Sequence, residues 1–287
     1  MKNTRWMDTE QKENAMATLS LGPQDQIYYE HTSPATKDGY TFVFFNALTG
    51  DTSAWESIIG PELRKAGHGT LVYNFRGQVN SPFSPGIKLD SNLIVSDTLE
   101  LLAATNPSRP ILVGLSIGGL FAARTWLQGG DALGLVFINT LRRDGPRLQW
   151  IGDALVRAVE VGGLDLFRDL FLPLLMNEDW LLSNRPAFLK QNSSYTALDP
   201  DSGHYKLLAE AGRTADWDLP YEQLTLPVLV ITGLQDHVFL ETDIVTELFK
   251  RLPQARRMDM PEAGHLIPGE HPDILCKALL SFAGEVR

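Results

Sequence analysis

The chain has one cysteine, Cys276, among 287 residues, so no internal disulfide can form. That fits a reducing compartment. Positive charge is also scarce: 25 Lys and Arg stand against 35 Asp and Glu, a formal charge of −10. A nucleic-acid partner is argued against, because phosphate binding needs a positive face. The pair Arg142-Arg143 is too small for a duplex. No uncharged run approaches the ~18 residues of a spanning helix, and Met1 to Asn14 has no apolar core of a signal peptide. Residues of metal-ligating type do not cluster, no phosphate-binding glycine loop occurs, and no repeat or low-complexity tract is visible. The chain therefore reads as soluble and cytoplasmic, with no metal, cofactor, nucleic-acid or membrane partner. What it does have is 44% hydrophobic residues, enough to bury a core.

Those residues fall into a regular alternation. Met16–Leu21 and Gln26–His31 flank the turn Gly22-Pro23-Gln24-Asp25, which predicts an antiparallel hairpin at a sheet edge. Thr41–Phe45, Thr70–Phe75, Pro110–Gly114, Leu133–Ile138 and Pro227–Thr232 are unalternating apolar runs, as expected of parallel strands covered on both faces. Arg256–Met260 is a weaker sixth. Helical spacing appears between them at Ala54–Ala66, Asn92–Ala104 and Ile117–Leu127, and again at the C-terminus through Ile274, Leu275, Ala278, Leu279 and Phe282. The predicted fold class is α/β, a mostly parallel sheet with helices on both faces. From about residue 142 to 218 no convincing strand interrupts a helical pattern, so this stretch is expected to be a cap inserted between two strands of a core formed by residues 16–141 and 219–287. Residues 1–15 carry no period and read as a disordered lead-in.

The chemistry concentrates at three places. Gly114-Leu115-Ser116-Ile117-Gly118 follows the strand Ile111-Leu112-Val113 and opens a helix. A serine on so tight a strand-to-helix turn is exposed, and only small neighbours fit beside it. The first turn of the helix also directs free N–H groups towards it.

With these residues the chain resembles the α/β-hydrolase superfamily from about Met16 to the C-terminus. The resemblance implies nucleophile, acid and histidine in that chain order, and an acyl-enzyme mechanism without a cofactor. The strand Val228–Thr232 runs into Gly233-Leu234-Gln235-Asp236, which looks like the acid position of the family. Gly264-His265, followed by Glu270 and Pro272, resembles its G-H-x-x-x-x-E-x-P segment. The expected triad is Ser116, Asp236 and His265. His237 is adjacent to the acid and cannot readily be oriented by it, and His271 fills a place with no assigned role.

The oxyanion donors are expected at the backbone N–H of Ile117 and of Leu48, in Asn46-Ala47-Leu48-Thr49-Gly50. Where the family usually has His-Gly this chain has Asn46-Ala47, and Trp55 keeps the usual spacing. In Asn74-Phe75-Arg76-Gly77-Gln78-Val79-Asn80-Ser81, Asn74, Gln78 and Val79 replace Asp, His and Gly, while Arg76, Gly77 and Ser81 are kept. Together with Asn139-Thr140, these motifs look most like 3-oxoadipate enol-lactonases and carboxylesterases, although the Ala47–Asp51 loop also resembles homoserine acetyltransferases. The implied activity is hydrolysis of a small-molecule ester or lactone. C–C bond hydrolysis of a β-diketone-like substrate, acyl transfer or haloperoxidase-like chemistry remain open alternatives, and an intact triad argues against a non-catalytic receptor. Asn46, Arg142, Arg143 and Trp150 are candidate substrate contacts. Arg142 or Arg143 would read a carboxylate where the chain leaves the sheet for the cap.

Overall fold

A computed structural model describes residues 15–187 and 194–286. Eight strands form one sheet: β1 (Ala15–Ser20), β2 (Gln26–Thr32), β3 (Thr41–Phe45), β4 (Gly69–Tyr73), β5 (Pro110–Leu115), β6 (Gly134–Ile138), β7 (Val228–Gly233) and β8 (Ala255–Met260). Their order is β1-β2-β4-β3-β5-β6-β7-β8. Only the pairings of β2, with β1 and with β4, are antiparallel. All eight expected strands are found, with ends displaced by a residue or two. The expected lead-in of residues 1–15 falls outside the described residues except for Ala15, which already pairs with His31 in β1.

The central strands lack polar alternation because helices cover both faces. In β3, Phe42 and Phe44 belong to one apolar layer, and Val43 and Phe45 to the other. Helices α1 (Ser53–Glu56), α2 (Ile59–Lys65), α3 (Ser91–Thr105) and α4 (Ile117–Leu127) follow the first strands. The single helix expected over residues 54–66 is divided in two. Pro61 has no N–H to give the preceding turn, and Ile58 breaks the helical backbone at φ −138°. Helix α3 is closed at its start by the Asp90 carboxylate, which accepts from Leu93 N–H, and at its end by Asn106 at φ 43°.

Between β6 and β7, where a cap is expected, the described residues form α5 (Pro146–Leu175), α6 (Glu178–Asn184) and α7 (Gly203–Lys206), the last running into a wider turn at Leu207–Ala211. Helix α5 bends at Gly162-Gly163. Gly163 has φ 65°, and a Cβ there would lie 2.2 Å from Thr196 O. After β7 come α8 (Thr242–Lys250), α9 (Ile267–Glu270) and α10 (Pro272–Glu285). Helix α8 is missing from the sequence reading, although it buries Val245 and Leu248 at helical spacing.

Candidate active site

Ser116 joins β5 directly to α4 with φ 57° and ψ −123°, a backbone conformation that costs on the order of 1–3 kcal/mol for a residue with a side chain. Its surroundings hold it there. Ser116 N–H donates to Ile138 O at 2.7 Å. A Cβ on Gly114 would meet Gly119 N at 2.2 Å, and one on Gly118 would meet Phe45 O at 2.4 Å. The spacing of small residues thus reflects direct backbone-to-backbone packing. It sets the first turn of α4 against the end of β3, beside the loop that carries Leu48.

Asp236 follows β7 and His265 follows β8, and the fold brings their side chains together. His265 Nδ1 lies 2.6 Å from Asp236 Oδ2, both groups almost fully buried. The other carboxylate oxygen accepts from Val238 N–H at 3.0 Å and Phe239 N–H at 2.9 Å. Burial raises the Asp236 carboxyl, but the charge and hydrogen bond of His265, the Phe239 N–H and the charge of Arg142 together hold it below the ordinary carboxylate range. An imidazole held at Nδ1 by an ionised acid keeps Nε2 free to accept a proton.

Asn139, at φ 51°, orients the histidine loop from below. Its Nδ2 donates to Gly264 O at 3.0 Å and His265 O at 2.8 Å, while its Oδ1 accepts from Gly233 N–H at 2.7 Å. One side chain therefore fixes β6, the start of the acid loop and the histidine loop relative to each other. Glu270 ties the histidine loop to the segment between β6 and β7, accepting from Gly264 N–H and from Asn177 N–H, each at 2.8 Å.

The expected oxyanion donors, Leu48 and Ile117, both border the cavity that contains Ser116 and His265. Neither N–H donates to another group among the described residues. The direction of Leu48 N–H follows from its neighbour. Ala47 O accepts from Gln78 Nε2 at 2.8 Å and from Gly50 N–H at 3.1 Å. In a planar trans peptide the N–H points opposite to that carbonyl, away from Gln78.

Gln78 is itself fixed, its Oε1 accepting from Phe75 N–H at 2.9 Å and Asn46 Nδ2 at 3.0 Å. Asn46 Nδ2 also reaches Tyr73 O and Asn74 Oδ1, and its Oδ1 accepts from Trp55 Nε1 at 2.8 Å. Asn74 Oδ1 in turn takes Thr52 N–H at 2.9 Å. Three of the residues that depart from the family pattern, Asn46, Asn74 and Gln78, thus form one uncharged amide network beneath the loop. Each departure is visible in the sequence, whereas their mutual contact is a property of the fold.

The other expected substrate contacts separate. Arg142 is 5% exposed and lies on the cavity wall, with Nη2 donating to Ser116 Oγ at 3.0 Å and to Asn139 O at 2.7 Å. Asn46 borders the cavity, but its side-chain amide is engaged in the network. Arg143 turns outward and pairs with Glu247 on α8. Trp150 is 79% exposed and lies outside the cavity wall. Leu148, Gly152 and Leu155 form the inward stripe of α5, and Trp150 is about 200° around the helix from Leu148. Trp150 therefore stands apart from the cavity that holds Ser116.

The cavity measures about 990 Å³. Its apolar wall comes largely from the segment between β6 and β7, through Leu148, Leu155, Leu164, Phe167, Leu172 and Leu208. No group of metal-ligating side chains occurs among the described residues, and no helix there is long and apolar enough to cross a membrane.

Residues 40–272 match the family model described as the alpha/beta hydrolase fold. The chain is 26% identical over 250 residues to 3-oxoadipate enol-lactonase 1 of Acinetobacter baylyi, covering 85% of this chain and 88% of that protein. It is 23% identical over 265 residues to the carbamate-hydrolase candidate RutD of Variovorax paradoxus, covering 91% and 97%. Among solved structures, MGS-M2, an alpha/beta hydrolase from a Medee basin deep-sea metagenome library, superposes with a TM-score of 0.80 at 20% identity, covering 94% of this chain and 98% of that one.

Proposed function

The chain belongs to the alpha/beta hydrolase family, and from that premise we propose that it is a serine hydrolase of small carboxylic esters or lactones acting through an acyl-serine. The observation that carries the reading is the buried His265–Asp236 pair, which faces the same cavity as the strained Ser116. His265 Nε2 takes the proton of Ser116 Oγ as that oxygen attacks the substrate carbonyl. The oxygen of the tetrahedral intermediate is met by Leu48 N–H and Ile117 N–H. His265 then gives the proton to the departing alkoxide, leaving an acyl-serine. In the second half-reaction it activates water to release the acid.

Enol-lactonase and carbamate-hydrolase names among the relatives concern bonds between a carbonyl and a heteroatom, which suits this site. A cavity near 990 Å³ admits a small or medium acyl compound.

The test combines a fluorophosphonate probe with a screen of p-nitrophenyl esters, lactones, carbamates and vinylogous diketones. Labelling should occur at Ser116 and vanish in Ser116→Ala, whose kcat should fall by about 10⁴–10⁶ with the fold retained. A folded Ser116→Ala that kept more than a few per cent of wild-type turnover would remove the assignment. Turnover confined to the diketones would replace ester cleavage with C–C cleavage.

A further inference from the structure

Of the two arginines expected to read a carboxylate, the one on the cavity wall, Arg142, is a buried cation. The Arg142 guanidinium lies over the faces of Trp217 and Phe239, with its Cζ 4.7 and 4.4 Å from the two ring centroids. Burial brings its pKa down to about 10, so it remains charged at neutral pH. A buried cation is normally matched by a carboxylate. Arg142 has no ion pair among the described residues, and its Nε is buried without a hydrogen-bond partner. The acid that acts on it most strongly at a distance is Asp236, which His265 already engages. Nη2 donates to Ser116 Oγ and Asn139 O, and no group among the described residues accepts from Nη1. The aromatic faces offset part of the lost hydration but accept no N–H in the guanidinium plane.

The topology says which side of the reacting centre this cation occupies. Ser116 stands at the end of β5, flanked by β3 on one side and β6 on the other. The loop of Leu48 arises from β3, whereas Arg142 follows β6, on the side of Asp236 and His265. Phe239, which covers Arg142, also packs against the His265 ring at 4.9 Å. The guanidinium is thus placed across Ser116 Oγ from the Leu48 donor, and it is poorly placed to act as a third member of the oxyanion hole.

We infer that Arg142 binds a carboxylate carried by the substrate, so that the preferred ester or lactone is an acid whose second charged group lies on the histidine side of the scissile carbonyl. The inference rests on the acyl-serine reading above. Since Nη2 is 3.0 Å from the attacking oxygen, the carboxylate belongs roughly two to three bonds from the reacting carbon. A planar guanidinium packed over two aromatic rings presents a fixed fork of donors to a carboxylate, which the point charge of lysine does not reproduce.

The test uses two isosteric pairs on the whole protein. Monoethyl succinate is compared with ethyl levulinate, which places the charge on the acyl side. Acetoxyacetate is compared with acetoxyacetone, which places it on the leaving group. The acidic member of at least one pair should be preferred in kcat/KM, and the pair showing it identifies the side. In Arg142→Met that acidic substrate should lose at least about 30-fold more than its neutral partner, the lower end for truncating one member of a buried charge pair. Arg142→Lys should recover only part of the preference, and it serves as the test variant if Arg142→Met does not fold. Equal losses for acidic and neutral substrates would make Arg142 a general stabiliser of the transition state and overturn the carboxylate site. A wild-type enzyme that prefers the neutral member of both pairs would overturn it as well. In either case Ser116 would still label with the fluorophosphonate. Loss of labelling and of all ester turnover in the wild type would instead remove the hydrolase reading on which the inference stands.

Discussion

Gln78→Glu exchanges one atom of a 4% exposed side chain and changes the sign of a pH profile. The Oε1 contacts with Phe75 N–H and Asn46 Nδ2 survive the exchange, so the fold should persist with a loss of about 1–3 kcal/mol. The other oxygen replaces a donor that lay 2.8 Å from Ala47 O and 3.3 Å from Leu48 O. When ionised, it faces two carbonyl oxygens with no hydrogen between them. The Ala47–Leu48 peptide must then rotate, held only by Gly50 N–H, and Leu48 N–H loses its aim. Misdirecting one oxyanion donor costs ~10²–10³ in kcat, and the retained Gly50 contact argues for the lower figure, about 10²-fold at pH 8. When protonated, the carboxyl donates again to Ala47 O, and much of the loss should return.

On the proposed mechanism, wild-type activity should rise with pH because the general base must be neutral. Gln78→Glu should instead lose kcat as the pH rises through its own carboxyl pKa, which burial pushes upward. KM should change little, because Gln78 does not border the cavity. Gln78→Met, which cannot ionise, should lower kcat without inverting the profile. Steady-state kinetics from pH 5 to 9 on a p-nitrophenyl ester decides the matter. A Gln78→Glu enzyme with the wild-type profile and kcat within about threefold would refute the positioning argument.

Asp236→Asn should lower kcat by about 10⁴, because the amide cannot stabilise the imidazolium and favours the wrong tautomer. Asp236 also bears on acid stability. Its folded pKa lies below its unfolded value, so its contribution is present above the unfolded pKa near 3.8 and is lost as pH falls through the folded one. Guanidinium midpoints should therefore fall more steeply below pH 4 in the wild type than in Asp236→Asn, and parallel curves would count against this. Cys276, 6% exposed and pushed up to about 11 by burial and by Glu62 and Asp273, should present only about 10⁻³ of its thiol as thiolate at pH 8. Ellman's reagent should react with it only on unfolding, and prompt reaction of the native protein would contradict that burial.

The parts of this molecule legible in its sequence are those where short-range sterics dictate residue type. Gly114 and Gly118 are glycine because backbone atoms stand within 2.5 Å of where a Cβ would be, and the strand-to-helix turn that exposes Ser116 allows little else. The strands were legible because a sheet covered on both faces tolerates almost no polar side chain. The segment between β6 and β7 was legible only as helical, and Trp150 shows why. Which stripe of an amphipathic helix faces a cavity depends on where that helix docks, and α5 is redirected midway by Gly162-Gly163. The misjudged network has a different cause. Asn46, Asn74 and Gln78 are separated by 28 and 4 residues along the chain, and each alone is an ordinary polar substitution. Their meaning lies in mutual contact: where the family places ionisable side chains, three amides satisfy one another's donors and acceptors without any charge. Such a network keeps the same hydrogen bonds across the pH range in which the catalytic base changes charge. The loop that carries Leu48 is therefore held by groups that do not titrate, and the charged group in contact with Ser116 Oγ is Arg142.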